Sequence, residues 1–244
     1  MEIPVIYQDE HLIVVNKPVD LPVHKNDFMP HDAGYLTKLI GDIAGKWIYN
    51  VHRLDSKTSG LIVLAFSSEV AHEMALLFER REVQKKYMAI VQGNPGEGSF
   101  NSKVVVKKKS NFKKPALTNF RTLQTVETGI SFNEKQNIQL SLVGISTETG
   151  RWHQIRQHFA QHRFDILGDS HHGDFTLNKI ITEKTGIKRL FLHASELGFR
   201  HPVSNEQLHF SAELPDEYLD IMKYYKTDQC KREIRRIDGR TQRE

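Results

Sequence analysis

The chain of 244 residues carries 34 Lys and Arg against 30 Asp and Glu, a formal net charge of +4, with 13 His, one Cys and 39% hydrophobic residues. With 9% aromatic residues and only 8 Pro and 15 Gly, it is no disordered, collagenous or low-complexity sequence, because enough apolar surface is present to offset chain entropy over one large domain or two small ones. The lone Cys230 excludes an internal disulfide and favours a reducing compartment. The opening MEIPVIYQDE has no positively charged leader, and no later run reaches the roughly 18 apolar residues of a membrane helix, so a soluble cytoplasmic protein without membrane contact is expected.

Val5 to Asn16 reads as two strand-like pieces around a polar turn, ending at Lys17-Pro18. Leu61 to Phe66 is an apolar run of strand length behind Ser59-Gly60. A helix follows, capped by Ser67 or Ser68 with Glu69 in its first turn, because Val70, Met74, Leu77 and Phe78 fall on one helical face. Tyr87 to Val91 is a further strand, closed by Gly93-Asn94-Pro95-Gly96, and strands are expected at Lys103–Lys107, Asn119–Glu127 and Gln139–Thr147. A second helix opens after Glu148-Thr149-Gly150, with Trp152, Ile155, Phe159 and more weakly Ala160 as its buried stripe. Phe191–Phe199 and Gln207–Glu213 read as strands and Asp216–Tyr225 as a terminal helix behind Pro215. Many strands and few helices without regular alternation predict an α+β fold on a mixed, largely antiparallel sheet flanked by helices and loops. The expected parse is one catalytic domain over residues 1–225 and a basic tail over 226–244.

The modest net charge conceals an uneven distribution. Lys103 to Lys114 holds six Lys and no acid, Arg80 to Lys86 four bases and one acid, and Lys226 to Glu244 seven bases and four acids. Basic charge is thus concentrated on three short segments of an otherwise acidic body, which suits either a polyanion contact or merely solvated loops and a tail.

Three segments have the residue types of a reactive site. In Val51-His52-Arg53-Leu54-Asp55-Ser56-Lys57-Thr58-Ser59-Gly60 a carboxylate sits among cations before an apolar strand, where it would stay ionised as nucleophile, base or electrostatic stabiliser; alone, Asp55 reads more simply as a turn residue bonding its own backbone. In Gly150 to Arg163, a helical Arg156 lies one turn from Trp152 and His153 and can pair with a carboxylate or hold a phosphate. The same segment spaces His158 and His162 as metal ligands are spaced, and His171, His172, Asp174, His193 and His201 add possible ligands. Without HExxH or a Cys pair, however, polar histidines on an exposed helix are the simpler reading. In Gln84 to Val91, Tyr87 enters a strand behind two Lys, as a base-stacking residue or a packed core one. No glycine-rich phosphate loop occurs, so a nucleotide cofactor has no support.

In this order the segments resemble the RluA-type pseudouridine synthase family. The likeness runs through His52-Arg53-Leu54-Asp55 with Thr58-Ser59-Gly60, Lys86-Tyr87, Gly150-Arg151 with His153-Gln154-Ile155-Arg156 and His158, Gly168-Asp169, Leu192-His193-Ala194 and His201-Pro202, with Tyr7 to Glu10 and Val15-Asn16-Lys17-Pro18 in front. It spans about residues 3 to 215 and departs only at Ser56-Lys57 and at Trp152, taken as remote from the chemistry. The resemblance implies a single catalytic domain with no accessory RNA-binding domain in front. It further implies isomerisation of a uridine in structured RNA: the N1–C1′ bond breaks, the uracil turns, and C5 bonds to C1′. Asp55 would be the catalytic residue. Arg53, Tyr87, Arg156 and Leu192 would handle the substrate, with Arg156 pairing Asp55, Tyr87 packing on the uracil, and Arg53 holding the space a flipped base leaves.

Gly168 to Asp174 and Arg189 to Ser195 look most like the branch acting on the acceptor and T-stem region of tRNA, with rRNA as the alternative substrate. The reaction is redox-neutral, so neither cofactor nor metal is expected, and the chain is expected to act as a monomer. Two readings of other classes compete: a metal-dependent RNA hydrolase using the histidines, which chelation would inactivate, and a catalytically inert RNA-binding module, in which Asp55→Asn would leave every RNA phenotype intact.

Overall fold

The structure, a computed structural model, describes residues 2–25, 30, 33–107 and 112–227. Two short strands come first, β1 (Val5–Gln8) and β2 (Leu12–Lys17), joined by a turn in which the Asp9 carboxylate accepts the N–H groups of His11 and Leu12 at 2.7 Å each. Helix α1 (Leu36–Ala44), β3 (Tyr49–Asn50), β4 (Ser59–Ala65), α2 (Ser68–Glu79), β5 (Gln84–Gln92), β6 (Glu97–Val105), β7 (Lys113–Glu127) and β8 (Gln139–Thr147) follow. After them come α3 (Gln154–Gln161), α4 (Phe175–Thr185), β9 (Leu192–Arg200), β10 (Gln207–Ser211) and a last helix, α5, over 216–227.

The strands form one ten-stranded sheet in the order β1-β2-β4-β9-β5-β8-β7-β6, with β10 on β9 and β3 on β4. Among the described residues only β4 and β9 run parallel, meeting through Ser59 opposite His193 and Gly60 opposite Ala194; the other strand pairs are antiparallel. The fold is therefore the mixed, largely antiparallel α+β class that the pattern predicts. Gly60 is required at the parallel contact: its φ is +111°, and a Cβ there would lie 2.2 Å from the Ala194 carbonyl oxygen. The β4 and β9 backbones can approach at this point only without a side chain.

Alternation along the central strands supplies two faces. Ile13, Val15, Ile62 and Leu64 pack beneath α1, whereas Leu12, Val14, Leu61, Val63 and Ala65 pack against Val70 and Met74 of α2. Further along the sheet, Ile90 joins Leu177 and Ile181 of α4 and Tyr218, Ile221, Met222 and Tyr225 of α5, while Ala89, Val91 and Val143 join Ile155 and Phe159 of α3. The α2 N-cap is Ser67, whose hydroxyl accepts the Val70 N–H at 3.2 Å. Among the described residues no helix is long and apolar enough to cross a membrane.

Helices α1 and α4 depart from the sequence expectation. The α1 N-cap, Tyr35, makes no side-chain cap bond, and Gly41 interrupts a short helix held by Leu36 and Ile40, with Leu39 half-buried beside them. In α4 the signals are present: Asp174 caps Leu177 N–H, Gly186 closes the helix in the left-handed region, and Leu177 and Ile181 make the buried stripe. Trp152 is the opposite error, since α3 begins only at Gln154 and the tryptophan lies in the turn before it. Residues 228–244 of the expected basic tail, and 108–111 of the Lys-rich segment, lie outside the described residues.

Candidate active site

Asp55 lies in the turn that feeds β4, where the Thr58 N–H closes on the Asp55 carbonyl at 3.0 Å. The turn is held from below by Lys17, fully buried at the end of β2. Its ammonium donates to the carbonyls of Pro18, Leu21 and Ser56 at 2.8, 2.9 and 3.0 Å, so three orphan acceptors are met by one cation. Burial pulls the Lys17 pKa down to about 7, and Asp20 and Asp55 oppose that shift. From the other side Arg189, anchored by Glu217 at 3.2 Å, donates to the Ser59 hydroxyl at 2.6 Å.

Of the local cations expected around Asp55, His52 contributes none. Its Nε2 accepts the Val63 N–H, its ring stacks on Phe78 at 4.5 Å, and burial depresses its pKa to about 3. Lys57 points away, to the Ser170 hydroxyl at 3.1 Å.

The cation that meets Asp55 comes from α3, 101 residues away. Helix α3 is buried on nearly every side, and its polar residues are consumed in stitching it to the sheet. Gln154 bonds the Leu117 carbonyl and both Thr118 and Thr149 hydroxyls, Gln157 bonds Val105 through N–H and carbonyl, and His158 lies between Thr118 Oγ1 and the Ser102 carbonyl. Arg156, 5% exposed, is fixed by a fork: Nε and one terminal nitrogen donate to the two oxygens of Asp169 at 2.7 and 2.8 Å. Its remaining terminal nitrogen donates to Asp55 Oδ2 at 3.0 Å and to His153 Nε2 at 2.9 Å.

Asp169, 1% exposed, also accepts the N–H groups of His171 and His172. Burial opposes its charge, yet the Arg156 bonds and these N–H groups hold its pKa down to about 2. The same carboxylates keep the Arg156 pKa raised against the cost of burial. The Asp169 loop is shaped by Gly168, at φ +75°, where a Cβ would fall 1.6 Å from the Arg189 carbonyl oxygen.

His153, at the start of α3, adopts a left-handed backbone with φ 48°. Its pKa falls to about 4, first through burial, so its ring is neutral at physiological pH, and because Arg156 only donates, Nε2 is an acceptor there. A bulge between Lys86 and Tyr87 in the β5–β9 ladder turns Tyr87 toward the same place. Burial, and then the Asp55 charge, push its phenol up to about 12, so it stays protonated.

Arg53, Asp55, Tyr87, Arg156 and Leu192 all line one cavity of about 310 Å³. Leu192, at the start of β9, is one of its buried members, while Arg53 and Lys107 line it from exposed positions. The structure thus brings together every residue the sequence singles out for the reaction.

It departs from the sequence reading in three other respects. Trp152 is not remote: it lines the cavity and stacks on His153 at 3.9 Å. The helix carrying the histidines is not exposed, His158 being wholly buried. The proposed ligands also disperse, with His201 accepting the Val203 and Ser204 N–H groups, His193 against the Ser59 hydroxyl, and Asp174 capping α4. His171 and His172 group instead with His153. The sequence assigns no role to Lys17 or Asp169; a lysine followed by proline at a strand end, and an acid behind a glycine, are the signals it carries for them.

The site is thus a carboxylate presented by a tight turn and aimed by an arginine that a second carboxylate fixes, beside an aromatic and an aliphatic side chain. The profile of the RNA pseudouridylate synthase family matches residues 11–161, and the chain belongs to that family. It is an enzyme of the isomerase class that forms pseudouridine in RNA. Among its relatives, tRNA pseudouridine synthase C of Yersinia pestis is 35% identical over 231 residues, 91% of this chain and 90% of that one. The protein of the same name from Pasteurella multocida is 36% identical over 238 residues, 93% and 98% of the two chains. The solved structure of human RNA Pseudouridylate Synthase Domain Containing 4 superposes with a TM-score of 0.68 at 26% identity, covering 91% of this chain and 93% of that one.

Proposed function

We propose that the chain converts a uridine of the acceptor and T-stem region of tRNA to pseudouridine, with Asp55 as the catalytic residue. The observation that carries the mechanism is the chain Asp55–Arg156–Asp169, in which one carboxylate meets the arginine through both oxygens and the other meets it through one oxygen while lining the cavity. Breaking the N1–C1′ bond builds positive charge on the sugar, and an ionised Asp55 either traps it at C1′ or removes a sugar proton; both routes need the carboxylate charged and aimed. Arg156 aims it through the 3.0 Å bond to Oδ2. Tyr87, protonated, and Leu192 provide the two walls between which a detached uracil turns, and the proton lost at C5 balances the one gained at N1. Arg53, exposed on the cavity lining, fills the space left in the RNA stack, where unstacking costs on the order of a few kcal/mol. The Lys-rich segment reaching the cavity at Lys107, and the basic tail beyond the catalytic domain at 226–244, offset this cost through phosphate contacts.

Support for tRNA comes from the relatives' names and from their coverage of nearly the whole chain. The test maps pseudouridine chemically across tRNA and rRNA from cells with and without the gene. A single tRNA site lost on deletion, and restored by the native chain alone and not by Asp55→Asn, is expected. A lost rRNA site with tRNA unchanged would replace the substrate.

A further inference from the structure

We propose that His153, His171 and His172 form a binding site for an imidazole-preferring divalent cation of the Zn²⁺ class, whose occupancy reversibly inhibits the enzyme. One ligand atom from each of the three rings lies within 4.8 Å of the other two. Nδ1 of His153 faces Nε2 of His172 at 3.0 Å. Two imidazole nitrogens sharing a tetrahedral Zn²⁺ at 2.0–2.1 Å sit about 3.3 Å apart, so this pair needs to open by only a few tenths of an ångström. The rings of His153, His171 and His172 are mutually perpendicular, at 84° to 85° with centroids 4.7 to 5.5 Å apart, so they can converge on one point without stacking. Trp152 backs the cluster, stacked on His153 and edge-on to the other two. His171 is exposed and His172 half-buried, which leaves the fourth position to water and gives the ion an entry path. Neutral nitrogen donors without a carboxylate favour Zn²⁺, Ni²⁺ or Cu²⁺ and not Mg²⁺, which takes oxygen ligands.

The coupling to chemistry rests on the role of Asp55 proposed above and follows from the tautomer of His153. In the free protein Arg156 donates to His153 Nε2, so the proton of the neutral ring is on Nδ1, directed at His172. A cation at Nδ1 displaces that proton, and the ring stays neutral by carrying one on Nε2. An N–H then replaces the acceptor that Arg156 used, and it faces Asp55 Oδ2, 3.5 Å away. Arg156 loses one of its bonds, and Asp55 gains a donor on the oxygen that Arg156 already holds. The ion is therefore an inhibitor and takes no part in the reaction.

Metal-stripped protein is titrated with ZnCl₂ by calorimetry without RNA, and with CoCl₂ by its visible ligand-field spectrum. One equivalent bound by the native chain, and affinity lower by about tenfold or more in His171→Gln, is expected, since even outer-sphere partners of metal ligands command that range. No binding, or binding unchanged in His171→Gln, overturns the site. In the same preparations native pseudouridine formation falls as Zn²⁺ binds, recovers with EDTA and is indifferent to Mg²⁺. His171→Gln keeps its basal rate and needs about tenfold more Zn²⁺ for half inhibition. A native enzyme saturated with Zn²⁺ and fully active overturns the coupling. A metal-free native enzyme that forms no pseudouridine in any RNA counts against the proposed function, while the calorimetry still decides the site.

Discussion

The two carboxylates on Arg156 are chemically identical and differently employed. Asp169 is 1% exposed and accepts two bonds from the arginine and two backbone N–H groups. Asp55 is 20% exposed, takes one bond from the same guanidinium, and stands in a turn braced from behind by Lys17. Four donors make a carboxylate an anchor, because its lone pairs are spent; a single donor orients a carboxylate and leaves it accessible. On the proposed function the site divides its labour, with stability lodged in the buried partner and reactivity in the open one.

The sharpest way to break this division is at Asp55. Asp55→Asn is expected to reduce pseudouridine formation on the order of 10⁴-fold or more, the scale of removing a central reacting group, with tRNA affinity nearly kept. Asp169→Asn should show the reverse emphasis. Splitting a buried ion pair costs about 3–5 kcal/mol of stability, read by thermal or denaturant unfolding, and a loosened Arg156 costs about 10²-fold in rate. The same anchor gives an acid limb. The Asp169 pKa is lowered to about 2 from an ordinary 3.8, so its contribution is present above pH about 4 and is lost as pH falls toward 2. It amounts to about 2 kcal/mol and should be missing from unfolding curves of Asp169→Asn.

Smaller effects sharpen the picture of the walls. Tyr87→Phe should keep most activity, whereas Tyr87→Ala gives up about 1–3 kcal/mol of base stacking, roughly 5- to 150-fold in kcat/KM. Equal rates in the two variants would remove the stacking role. Arg53→Ala, at an exposed position, should leave stability within about 0.5 kcal/mol and raise KM about tenfold, the worth of one charge-assisted contact. A fall in kcat alone would move Arg53 from RNA binding into the chemistry.

The sheet was legible because its strands alternate or run fully apolar, as β4 does over seven buried residues. Helix α2 was legible from Ser67 and its stripe, α5 from Pro215 in front of it. The α1 helix was not, since it has no cap bond and contains Gly41; α4 went unread because Asp174 invited a ligand interpretation although it is an N-cap. At the site, Asp55, Tyr87 and Arg156 are legible as residue types in short segments, but their roles, and Leu192 altogether, come only with the family resemblance. What holds them is not legible: Lys17 acts through carbonyls up to 39 residues away and Asp169 through a guanidinium 13 residues off, and neither relation leaves a periodic trace. His52 and Lys57 illustrate the converse, since adjacency to Asp55 in the chain gave them an electrostatic role that their side-chain directions deny.

The central claim, that one carboxylate reacts while its twin holds the fold, is tested most directly by comparing Asp55→Asn and Asp169→Asn for unfolding, tRNA binding and single-turnover pseudouridine formation. Asp55→Asn is expected to unfold like the native protein, bind tRNA and form pseudouridine on the order of 10⁴-fold or more slowly, while Asp169→Asn unfolds earlier and turns over faster than Asp55→Asn. Turnover by Asp55→Asn as fast as or faster than by Asp169→Asn, or a larger loss of stability there than in Asp169→Asn, would contradict this division.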